Sequence, residues 1–74
     1  MAIFQELRVR QHELLEQLDE LDEAVVELTA WLESVADDEA FTEQSERLAW
    51  LHRQQAGARV MLGETERALL AMDE

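Results

Sequence analysis

A chain of 74 residues holds one domain at most and is short for burying a self-sufficient core. It has no cysteine, which excludes disulfides, thiolate metal sites and cysteine nucleophiles. A net charge of −12, with 18 acids and arginine as the sole basic side chain, excludes the basic face that nucleic-acid phosphates or an anionic membrane would require.

No apolar run approaches the ~20 residues that span a bilayer. The opening Met1-Ala2-Ile3-Phe4-Gln5-Glu6 lacks the basic flank and apolar stretch of a signal peptide. A cytoplasmic protein is the expectation, and the absence of cysteine fits a reducing compartment. Leu, Glu, Ala, Gln and Arg dominate, proline is absent and tyrosine is absent, so the composition predicts an all-α chain.

The first element is read from heptads. Phe4, Gln11, Leu18, Val25 and Leu32 fall seven apart, and Leu7, Leu14, Leu21, Leu28 and Val35 repeat three residues later; nine of these ten a and d positions are apolar. Such a repeat is the coiled-coil pattern, and it predicts a helix over about 3–36, about 50 Å long at 1.5 Å per residue.

The break falls at Val35-Ala36-Asp37-Asp38-Glu39-Ala40. Adjacent aspartates disfavour a helix interior and suit an N-cap, where a carboxylate accepts from orphan N–H groups and meets the positive end of the dipole. The turn is therefore expected at about 37–40, with Asp37 or Asp38 capping the second helix and Thr42 as a rival cap. One continuous bent helix is the competing reading, because no glycine marks the exit of the first helix.

The second helix is predicted over about 39–72. Its a positions are Phe41, Leu48, Gln55, Leu62 and Leu69, and its d positions Gln44, Leu51, Ala58, Thr65 and Met72; seven of ten are apolar, a weaker seam. Ala49, Ala56 and Gly63 form a small-residue stripe at the same period. With Gly57 nearby, it implies either close backbone packing or glycines tolerated on an exposed face.

Large apolar residues remain off both seams. They are Ile3, Val9, Leu15, Val26 and Trp31 on the first helix, and Trp50, Val60, Met61 and Leu70 on the second. A two-helix hairpin covers one side of each helix, so this surplus predicts a partner. The expectation is an antiparallel two-helix hairpin pairing into a four-helix bundle homodimer, with Leu15, Val26, Trp31, Trp50, Val60, Met61 and Leu70 as candidate interface residues. A foreign helix filling the groove is the alternative, and a wide but ordinary monomer stripe the third possibility.

Catalysis needs a positioned nucleophile or base in a concave pocket, which a hairpin is not expected to offer. Ser34 and Ser45 have no triad partners, and no glycine-rich phosphate loop exists. The chain is read as no enzyme, with no cofactor. Neither His12 nor His52 has a glutamate three residues before it, so the di-iron helical motif is absent. A metal-binding bundle using His12 and Glu16 with acids across a dimer is the remaining alternative of another class.

The marked electrostatic feature is the run Glu13, Glu16, Asp19, Glu20, Asp22, Glu23 and Glu27, without an intervening base. It is read either as a solvated face or as a negative surface steering toward a basic partner, such as a nucleic-acid-binding protein. Resemblances accompany these readings. Leu32-Glu33-Ser34, followed by a Gln/Arg/Ala-rich helix, resembles the small subunit of exonuclease VII, whose proline-containing turn is missing here. In length and layout the chain resembles the co-chaperones of type III secretion needle subunits, and in size and acidity small phage-encoded antagonists of host proteins. The resemblances imply a binder that regulates, inhibits or chaperones a partner, or a small subunit of a larger complex, and they identify no one family.

Overall fold

The computed structural model describes residues 2–73, and the side chains of 3–72. Two helices, α1 (Ala2–Ser34) and α2 (Asp38–Asp73), pack against each other as a hairpin. The molecule measures 55 × 15 × 14 Å, the length of one helix and the width of two. Its radius of gyration of 16.8 Å exceeds the ~11 Å of a compact chain of this size.

The connection is three residues, 35–37. It lies earlier than the aspartate pair alone suggests, because Asp37 is the cap and the chain leaves α1 before it. The Asp37 carboxylate accepts from the Glu39 N–H at 3.0 Å, and its carbonyl accepts the first helical bond from the Phe41 N–H at 2.9 Å. Asp38 and Glu39 then occupy the first turn, where the helix dipole favours negative charge. Thr42, the rival cap, is inside α2, and its hydroxyl donates back to the Asp38 carbonyl at 3.0 Å. At the other side of the turn the Ser34 hydroxyl donates to the Trp31 carbonyl at 3.0 Å, occupying one acceptor left free where α1 ends.

The seam follows the heptads. On α1 every a and d position from Leu7 to Leu32 is buried or half-buried, as is Val35 in the turn, and on α2 every one from Gln44 to Leu69; Phe4, Phe41 and Met72, at the ends, are exposed. The fully buried residues are unevenly shared. Leu14 is the one from α1, while α2 supplies Leu51, Gln55, Ala58, Thr65 and Leu69. The reason is size. The leucine row of α1 is bulky and overhangs the smaller seam of α2, so Ala58 and Thr65 are covered while Leu18 and Leu21 stay half-buried. Thr65 meets burial by donating to the Met61 carbonyl at 2.8 Å. Among the described residues no large side chain is fully enclosed.

The small-residue stripe plays no part in this contact. Ala49 and Ala56 are exposed and Gly63 half-buried. A Cβ at Gly57 would meet nothing within 4 Å, and one at Gly63 would meet only the end of Arg67 at 3.8 Å. No close backbone approach inside the hairpin requires either glycine.

Two outcomes are expected in thermal unfolding followed by circular dichroism. Asp37→Ala removes the cap and should cost about 1 kcal/mol, a drop of roughly 4–8 °C in midpoint for a domain of this size. Gly57→Ala should raise stability by about 0.5–1 kcal/mol, since it removes backbone freedom and meets no neighbour.

Candidate functional site

The middle of the seam is polar, and the polar residues are linked. Gln55, an a position of α2, is 5% exposed. Its side-chain amide donates to an Asp22 carboxylate oxygen at 2.5 Å, and its carbonyl oxygen lies 3.1 Å from His52 Nδ1, which donates there when it carries the proton. The Arg59 guanidinium stands 3.9 Å from the same Asp22 oxygen. Both charged side chains are more than half exposed, so this pair contributes little by itself. The Gln55 bond matters more, because a buried amide without a partner is costly. It also fixes register: sliding α2 along α1 by one turn would strand Gln55 among leucines.

This network gives Asp22 a second role. Of the seven acids in the run, all are exposed. Asp22 nevertheless reaches the seam, while no cross-helix bond or ion pair engages Glu13, Asp19, Glu20, Glu23 or Glu27 among the described residues. Glu16 pairs with His12 at 2.9 Å across one turn of α1, both side chains well exposed. Among the described residues no group of three or more His, Cys, Asp or Glu side chains is placed to hold a metal ion. The His12–Glu16 pair therefore stands alone on its helix.

The Asp22–Arg59 approach also orients the hairpin. Asp22 and Arg59 are both e positions, so the e rows of the two helices border one flank of the seam and the g rows border the other, as antiparallel packing requires. The candidate interface residues then divide. Trp31 and Met61 are g positions, and Trp50, a c position, is next to that row. Leu15 lies on the opposite e flank, with Val26 and Leu70 beside it. Val60 points away from the seam on the back of α2. All seven are exposed, Trp31 at 44% and Trp50 at 49%. The structure does not bring them into one patch; it places both tryptophans on one flank.

Charge divides in the same way. Residues 11–28 of α1 carry seven acids and no arginine, and residues 47–63 of α2 carry three arginines and no acid. The hairpin lays these stretches side by side, so the molecule is polarised across its width. The c row of α1 is a line of glutamates, Glu6, Glu13, Glu20 and Glu27, with Ser34 at its end. Surface depressions exist, one of about 480 Å³ beside Ile3, Leu7 and Arg10. It opens broadly to solvent and gathers no nucleophile with a base.

Sequence reasoning missed the role of Gln55. The signal was present, since a Gln on a leucine-rich seam needs a partner, but choosing Asp22 as that partner required the register. The chain matches no known family model, no curated protein and no solved structure.

Replacing Asp22 by Ala should lower stability by about 1 kcal/mol, because the Gln55 amide loses its acceptor. Gln55→Leu should instead be neutral or stabilising, since an apolar seam residue replaces a polar pair. Urea unfolding of the two variants checks both signs.

Proposed function

We propose that this chain is an acidic protein-binding module, not an enzyme, which regulates, inhibits or chaperones a partner protein through helix packing. The observation that carries the reading is the exposed apolar surplus: nine large side chains off the seams face solvent, with Trp31 and Trp50 on the same flank. Monomers seldom leave such side chains uncovered, and tryptophan is enriched where binding energy concentrates. We place the protein in the cytoplasm and read it as a homodimer of hairpins in a four-helix bundle. The second support is electrostatic. An acid run with no base, laid along one helix, attracts a basic partner and speeds its approach, so the target is read as a basic protein such as one that binds nucleic acid.

The test reverses the outward charges. Glu16→Arg, Asp19→Arg and Glu23→Arg together should abolish capture of basic proteins from host lysate, measured by affinity pull-down and mass spectrometry at low salt. Capture by the native chain should itself weaken as salt rises. Unchanged capture by the triple variant would leave the acids a solubilising role only.

A further inference from the structure

The two flanks of the hairpin differ in one respect that decides what can lie on them. Every g position, from Ile3 to Ala68, lacks a carboxylate, and the only charges in that row are Arg10 and Arg47. The e row carries Asp22 and Glu66 among its charges, with Arg8 and Arg59, and Asp19 lies beside it. A second copy carries the same −12. Two such chains repel wherever acids face acids, so they meet favourably only along surfaces free of them.

Area supports the same occupant. The chain exposes 5771 Å², against about 4,700 Å² for a compact monomer of 8.6 kDa. The difference, roughly 1,000 Å², arises from the elongated 55 × 15 × 14 Å shape and is comparable to the ~800 Å² that each partner gives to a standard interface. Side-by-side contact along the 55 Å length removes it.

We infer that a second copy of this chain docks on the g flank, with a two-fold axis parallel to the long axis, so that each α1 lies against the α2 of the other copy. The inference rests on the dimer proposed above and adds its face and its symmetry. All neighbouring helices are then antiparallel, as in an up-down bundle. By the register that sets Asp22 beside Gln55, Glu20 and Glu27 of the glutamate row border the other copy's acid-free 47–63 stretch with its three arginines, and Glu13 alone of that row comes level with an acid, Glu64. The other face-to-face two-fold, across the length, stacks α1 on α1 and sets glutamate row against glutamate row. Charge thus selects the first arrangement. Ala24, Gln54 and Met61 fall in the contact, and Trp31 and Trp50 at one end of it.

The test uses sedimentation equilibrium on the full chain. The native protein should weigh about 17 kDa, twice 8.6 kDa. Gln17→Glu, Gln54→Glu and Met61→Glu together add acids to the g flank and should give 8.6 kDa with helical circular dichroism unchanged, since none of the three is fully buried. Leu15→Glu, Thr29→Glu and Leu70→Glu add the same charge to the e side and should stay at about 17 kDa. If the first triple loses helicity, Met61→Glu alone is read the same way. A dimer that survives the g-flank charges, or one lost to the e-flank charges, overturns the placement. A native chain at 8.6 kDa that still captures a basic protein overturns the dimer but leaves the protein-binding reading standing; a dimer that captures nothing does the reverse.

Discussion

The contact between the leucine row of α1 and the smaller seam of α2 is what the rest of the molecule depends on. Helices of this length gain most of their stability from packing an apolar face. Here each helix packs on one neighbour, and among the described residues six are buried. The overhang of Leu18 and Leu21 above Ala58 lets two helices shelter a core that neither row of side chains would fill alone. The same asymmetry leaves the leucines with an exposed edge, and it is along those edges that the two flanks begin.

Within that contact the Asp22–Gln55 bond trades apolar burial for specificity. A seam of leucines alone is satisfied by several registers one turn apart. A buried amide with one carboxylate within reach is satisfied by one register. Asp22 therefore belongs to the seam as much as to the acid run, and His52 and Arg59 hold the ends of the same network. The three-residue turn works in the same direction, because the cap at Asp37 fixes where α2 starts and so how far it travels beside α1.

Register in turn decides how charge and apolar surface are distributed. With the acid-rich stretch of α1 fixed beside the acid-free stretch of α2, the hairpin has an acidic side, a side carrying arginines, and two dissimilar flanks. A shift of α2 by a turn would move Arg59 away from Asp22 and the acid-free stretch away from the acid run. The reading of this protein as a binder depends on that distribution, because the same exposed side chains scattered at random would need no explanation.

By itself the sequence determined the helices and their seams and pointed to a break about two residues later than the observed one. Heptads at Phe4–Val35 and Phe41–Met72 set which face of each helix is apolar, and adjacent aspartates mark the turn, since these are local properties of spacing and capping. It also identified the apolar surplus, because residues outside a and d lie off the seam in any two-helix arrangement. Only the tertiary structure decided that Asp37 and not Thr42 caps α2, that the glycines pack against nothing in α1, and that Gln55 finds Asp22. It also divided the surplus between flanks, with Trp31 and Trp50 together and Leu15 on the opposite side. The choice of cap is local, made by the bond from the Glu39 N–H to Asp37; the other outcomes depend on the register of one helix against another, a relation between residues more than thirty apart that no local pattern fixes.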